Sequence, residues 1–129
     1  MATLLAVAAG GAIGACARFL VGLGCERLLG DRFGYGTLLV NVVGCFALGL
    51  LAHGGAAAAL RQPWLTHPGL TAGLLGGLTT FSTFGYQTLG HIERGEWRLA
   101  GANVAANLIL GLAGVALGLQ LSRLLDTRA

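Results

Sequence analysis

Four long apolar stretches, separated by three short polar ones, make up nearly the whole of this chain. They run from about Leu4 to Gly24, Gly36 to Ala59, Leu70 to His91 and Leu99 to Leu121. At a rise of ~1.5 Å per residue a helix over each would cover roughly 30 Å, enough to cross a bilayer with some tilt. The connections, Glu26 to Gly34, Arg61 to Pro68 and Ile92 to Arg98, leave no room for a domain outside the membrane. The pattern therefore predicts one all-α transmembrane domain over residues 1–129. Trp64, framed by Pro63 and Pro68, and Trp97 at the head of the fourth stretch stand where aromatic side chains meet a membrane interface. A cleaved signal peptide is the competing reading of the first stretch. That stretch lacks a basic region before its apolar run and carries Arg18 within it, so a retained span is expected.

Composition agrees, with 55% hydrophobic and only 10% charged residues, well under half the ~25% charge of an average soluble domain. Lys and Arg total 8, every one of them arginine, against 5 acids, and they are scattered singly. Without a basic stripe, nucleic acid is not an expected partner. Cys16, Cys25 and Cys45 lack metal or redox spacing and read as small packing residues, while His53, His67 and His91 are isolated from one another.

Charge also bears on orientation, which the arginine excess of cytoplasmic loops normally decides. With four spans, one side of the membrane receives Arg61, Arg123 and Arg128, and the other receives Arg27, Arg32, Arg94 and Arg98. Three against four gives the insertion machinery almost no instruction. Insertion in both orientations and assembly as an antiparallel pair is the expectation this balance supports; a single, weakly biased orientation is the alternative.

Small residues recur four apart, as at Gly10 and Gly14 or Gly114 and Gly118, a spacing that lets helix backbones approach closely in lipid. The third stretch differs. Its centre, Gly76-Gly77-Leu78-Thr79-Thr80-Phe81-Ser82-Thr83-Phe84, sets paired glycines beside four hydroxyl residues. Glycine and β-branched threonine weaken a helix, and a break at membrane depth is tolerated where protein or a water-filled path satisfies the freed backbone groups. An unbroken helix whose hydroxyls bond back to carbonyls is the other possibility. Phe81 and Phe84 share a helical face and read first as packing residues. An aromatic ring nonetheless has a positive edge, which can favour an anion when turned toward a polar track.

The other polar residues at depth are Arg18, Asn41, Gln87, Thr88, Asn103 and Asn107, and no Asp or Glu lies within a stretch. Cation-coupled transporters ordinarily keep an intramembrane carboxylate. A small four-span proton-coupled exporter of cationic compounds, the rival by architecture, is disfavoured on that ground. Donors without carboxylates suit an anion. No nucleophile and base pair stands out, so an enzyme is not expected.

Three motifs, Gly11-Ala12-Ile13-Gly14-Ala15-Cys16-Ala17-Arg18-Phe19, Tyr35-Gly36-Thr37-Leu38-Leu39-Val40-Asn41-Val42-Val43-Gly44 and Gly76-Gly77-Leu78-Thr79-Thr80-Phe81-Ser82-Thr83-Phe84, resemble in type and order the signatures of the Fluc/CrcB fluoride channels. The resemblance implies a dual-topology antiparallel homodimer with two fluoride pathways, lying in the plasma membrane and giving passive export of fluoride from the cell. By motif position it implies that Phe81 and Phe84 line the track with ring edges and that Asn41 is a pore-side donor. Thr37 would sit toward a pore mouth, Ser82 and Thr83 would offer hydroxyls, and Arg18 would have a vestibule or structural role. It further implies a structural sodium ion at the dimer interface, held by backbone carbonyls of Gly76 and Thr79 from each subunit. The fourth span departs from the family pattern: Asn107 and Gly111 stand where some relatives have small hydroxyl residues, and Asn107 can still donate to an anion.

Overall fold

The computed structural model describes residues 1–51 and 62–126. Every secondary-structure element among them is helical. Helix α1, Ala2–Leu29, runs past the expected end at Gly24 into the polar stretch. Arg27 in its last turn sets a cation beside the carbonyl end, and the helix stops at Gly30, whose φ of 83° is a glycine conformation. Helix α2, Tyr35–Leu51, follows. The remainder of the second apolar stretch, 52–59, lies outside the described residues, as do His53 and the Arg61 and Arg128 of the charge count.

The third stretch folds in pieces. A 3-10 turn at Pro63–Thr66 precedes α3, which is π-helical over Gly69–Leu75 and α-helical over Gly76–Leu78. Helix α4 is Phe81–Glu93, and α5, Trp97–Asp126, is the longest at 30 residues. Between them Gly95 turns the chain at a φ of 72°.

Helices α1 and α5 are long and apolar enough to cross a membrane. In their most apolar windows only 6% and 17% of residues are buried within the chain. The contacts that do form are backbone to backbone. A Cβ on Gly10 would strike Gly69 O and come within 2.9 Å of Leu74 N, and one on Gly14 would strike Leu74 O and come within 2.8 Å of Leu78 N. On the α2–α5 side, a Cβ on Gly118 would strike Phe46 O and one on Gly49 would strike Val115 O. The small-residue spacing of α1 and α5 thus marks where neighbouring helices touch. Leu51 and Leu75, with Leu50, Leu65, Leu70 and Leu125, form an apolar plug at one end. The junction between α3 and α4 is left near the middle, within reach of side chains from α1, α2 and α5.

Candidate functional site

Helix α3 ends at Leu78, Thr79 and Thr80 are extended, and α4 starts at Phe81. Thr79 has ψ 157° and Thr80 has φ −153° and ψ 116°, a conformation that β-branched side chains accept readily. Thr80 caps α4: its Oγ1 accepts from the Thr83 N–H at 3.2 Å, and its hydroxyl also meets Thr83 Oγ1 at 3.0 Å and Ser82 Oγ at 3.2 Å.

An extended residue between two helices has a peptide group that neither helix serves, and burial makes that costly. Asn41 on α2 meets the need. The Thr80 N–H donates to Asn41 Oδ1 at 2.8 Å, and Asn41 Nδ2 donates to Thr80 O at 3.2 Å. The side-chain amide therefore pairs with Thr80 as a neighbouring strand would. Beside it, Thr79 Oγ1 donates back to Leu75 O at 3.1 Å, and Thr79 O accepts from Arg18 Nη1 of α1 at 3.4 Å.

The polar contacts continue away from the junction. Asn41 Nδ2 donates to Asn107 Oδ1 at 3.0 Å, and Asn107 Nδ2 donates to Asn103 O at 3.0 Å and Asn103 Oδ1 at 3.1 Å. Asn103 Nδ2 reaches Thr88 Oγ1 at 2.9 Å and Phe84 O at 3.4 Å, and Thr88 Oγ1 donates to Phe84 O at 2.8 Å. Asn103 and Asn107 lie four apart on one face of α5, so a single helix carries two consecutive rungs. From Asn41 Nδ2 to Asn107, Asn103 and Thr88 each donor points toward Phe84, and the Asn41 amide has a second acceptor in Thr80 O at the junction.

A cleft of about 330 Å³ opens beside this ladder, and Asn41, Thr79, Thr80, Phe81, Phe84 and Asn107 are among its lining residues. None of the lining side chains is acidic or basic. Phe81 is 79% exposed and Phe84 9%, with ring centroids 5.3 Å apart and ring planes at 61°, one edge toward the other face. Ser82 and Thr83 join this site through their bonds to Thr80, and Arg18 joins it through Thr79 O.

Thr37 lies elsewhere. It is buried in a second cleft of about 340 Å³ between the ends of α1, α2 and α4, whose lining also includes Glu26, Arg32, Gln87, His91 and Arg94. Nearby, Glu96 Oε2 lies 2.8 Å from His91 Nδ1 and accepts from Arg94 Nε at 3.0 Å. Those hydrogen bonds, from His91 first and Arg94 second, hold the Glu96 carboxyl below the usual carboxylate range.

The Gly76 and Thr79 carbonyls fit the chemistry of a hard cation, which takes oxygen ligands. The carbonyls of a helix's last turn lack intrahelical partners. Here the Thr80 N–H that would bond Gly76 O in a continuous helix is committed to Asn41. Gly76 is exposed, and a Cβ there would meet nothing within 4 Å, so another backbone has room to approach. Among the described residues, no group of three or more His, Cys, Asp or Glu side chains could hold a metal.

Thr80 and Asn103 are central to this arrangement without being among the expected pathway residues. Asn103 had a signal in its spacing from Asn107. Thr80 had only its place between a helix-weakening pair of glycines and a second apolar run.

Residues 5–119 match the family described as "CrcB-like protein, Camphor Resistance (CrcB)". The chain is 44% identical over 122 residues to a Nitrobacter hamburgensis protein named "Fluoride-specific ion channel FluC 1", covering 95% of this chain and 96% of that one. It is 45% identical over 125 residues to a Dehalococcoides mccartyi protein named "Fluoride-specific ion channel FluC", covering 97% and 95%. A Geobacter sulfurreducens protein of the same name is 44% identical over 126 residues, covering 95% and 98%.

Proposed function

The chain belongs to the CrcB family, and from that premise we propose how it works as a fluoride-selective channel that gives passive export of fluoride across the plasma membrane. It is a membrane protein and a channel, not an enzyme. The observation that carries the pathway reading is the cleft at the α3–α4 junction, where the amides of Asn41 and Asn107, the hydroxyls of Thr79 and Thr80 and the rings of Phe81 and Phe84 line the wall among aliphatic side chains, with no charged side chain. Fluoride is small and strongly hydrated. Passage requires donors that replace its water one or two at a time and none that traps it, so that entry and exit both remain favourable. The edge of Phe81, exposed at the cleft, and that of Phe84 beneath it supply weak positive potential. Asn41, Asn107, Ser82 and Thr83 supply the stronger donors, and Thr37 serves a mouth of the pathway. Because the Asn41 protons are already bonded to neutral carbonyl oxygens, an anion that takes one must displace that acceptor, which offsets part of the charge-assisted bond it gains.

In this reading the chain crosses the membrane four times, and Gly69 to Glu93 is one span interrupted at Thr79 and Thr80. Two copies insert in opposite orientations and pair as an antiparallel homodimer with two pathways, in keeping with the three-to-four division of arginines and the uncovered apolar faces of α1 and α5. A sodium ion at the interface, held by the Gly76 and Thr79 carbonyls of both subunits, would be structural and not transported, and Arg18 would position the Thr79 carbonyl.

The test is fluoride release from liposomes holding the purified protein, read with a fluoride electrode and compared with chloride. Rapid release of fluoride with chloride retained is expected. Equal release of both ions, or of neither, overturns the reading.

A further inference from the structure

The amide ladder has one member that reaches neither the cleft nor the junction. Asn103 is 0% exposed, one of two fully buried polar side chains of α5, with Ser122, among buried positions otherwise occupied by Ala and Gly. Burying an amide is unfavourable unless its groups are bonded, and Asn103 is bonded on every side. Its backbone and side-chain oxygens both take the Asn107 amide, while its own Nδ2 reaches Thr88 Oγ1 and Phe84 O on α4.

We propose that Asn103 is a positioning residue of the pathway, holding the Asn107 amide toward α5 at one end and the Thr88–Phe84 turn of α4 at the other. The inference rests on the pathway reading above and deepens it. The orientation of each rung is set by the next. Asn107 can present Oδ1 to Asn41 only while its Nδ2 faces Asn103, since the two ends of one amide point in opposite directions. Asn41 can keep one proton on Asn107 and the other on Thr80 O only while that Oδ1 is in place. Removing the Asn103 side chain leaves the Asn107 Nδ2 only the Asn103 backbone carbonyl as an acceptor, and the Asn107 amide is held less firmly in this orientation. The acceptor that Asn41 uses is less firmly placed at the cleft wall, and the Phe84 carbonyl loses one of its two side-chain donors. The pathway is altered by a residue that no ion touches.

The experiment is a double-mutant cycle read as fluoride flux from liposomes, with size-exclusion profile and chloride leak measured alongside. Asn103→Leu keeps the branched shape at a larger volume and removes the three side-chain bonds to Asn107, Thr88 and the Phe84 carbonyl. We expect flux to fall roughly tenfold or more with the dimer intact. In an Asn107→Leu background the same change should add little, because the group it acts through is gone. Thr88→Val, a near-isosteric change that removes the Asn103 acceptor at the α4 end together with the hydroxyl's own bond to Phe84 O, should give a smaller fall in the same direction and covers the case in which Asn103→Leu does not fold. Asn103→Gln, which restores both groups, should recover part of the flux.

Unchanged flux in Thr88→Val together with unchanged flux or additive loss in the Asn103 and Asn107 pair overturns the proposal. A wild-type protein that passes no fluoride overturns the channel reading instead, so the two failures are distinguishable.

Discussion

Along α1 and α3, and where Gly49 and Gly118 bring α2 against α5, backbones meet because side chains are missing, whereas around the α3–α4 junction α2, α4 and the Asn103–Asn107 turn of α5 are joined by side chains that reach across. In the first seam Gly10 and Gly14 face Gly69, Leu74 and Leu78, and there is no space for even a methyl group. In the second, four side chains, Asn41, Asn107, Asn103 and Thr88, form a continuous run of hydrogen bonds with separations of 2.9 to 3.1 Å between successive members. Both seams answer the same problem, since in lipid apolar side chains gain little from meeting one another. Close approach gains dispersion and holds its helices at a fixed distance. An amide ladder joins its elements through side chains and leaves a polar wall. The cleft proposed as the pathway opens where the second solution is used.

The largest effect should come from spoiling the close-packed seam. Gly14→Leu places a side chain where Leu78 N already stands within 2.8 Å of the Cβ position. The cost should be about 3 kcal/mol or more, seen as loss of the monodisperse peak in detergent. A folded Gly14→Leu protein would show that α1 and α3 are not in contact as described.

Changes on the polar seam should separate transport from folding. Asn41→Asp keeps an acceptor for the Thr80 N–H but removes both donated bonds and introduces a charge that repels anions. Flux should fall by roughly a hundredfold or more while the dimer persists. Phe81→Ile removes the ring edge from an exposed position and should lower flux with little change in thermal stability. Normal flux in both variants would break the assignment of the cleft.

Thr80→Val is expected to be milder. It retains the extended conformation and the pairing with Asn41 but removes the cap of α4, worth about 1 kcal/mol. A small fall in melting temperature should result, smaller than that of Gly14→Leu.

The smallest effect belongs to the loop between α4 and α5. The Glu96 carboxyl is depressed below its usual range by hydrogen bonds from His91 and Arg94. Its ionised form therefore stabilises the folded loop at and above the ordinary carboxylate range, and that contribution disappears as pH falls through the depressed folded-state value. Glu96→Gln should melt slightly below wild type at neutral pH and converge with it in acid.

The glycine seam was legible in the sequence because its cause is local: residues four apart share a face, and small ones there mean contact. The ends of α1 were less so. Polarity places a boundary at Gly24, but nothing from Cys25 to Leu29 opposes helix, and only Gly30 with its positive φ stops it. The π-helical course of Gly69–Leu75 left no signature beyond its glycines. At the site, residue types pointed to an anion and the motifs to Asn41, Phe81 and Phe84. What they could not reveal is that the Asn41 amide serves a peptide group 39 positions away, since that depends on how α2 meets the junction in space. Thr37 shows the same limit: it sits four residues before Asn41 on α2, yet lines a different cleft.

The two extended residues at Thr79 and Thr80 have an electrical consequence. Aligned peptide dipoles leave about half a positive charge at a helix's first turn and half a negative charge at its last. An uninterrupted span would carry these poles only at its two outer ends. Unwinding two residues creates a second pair inside it, with the negative pole of α3 and the positive pole of α4 set almost back to back. One stretch of backbone thus presents a face suited to a cation and a face suited to an anion without using an ionised side chain. Because the same two residues separate the poles, an insertion or deletion there would displace both together, so the two faces can only be retuned as a pair.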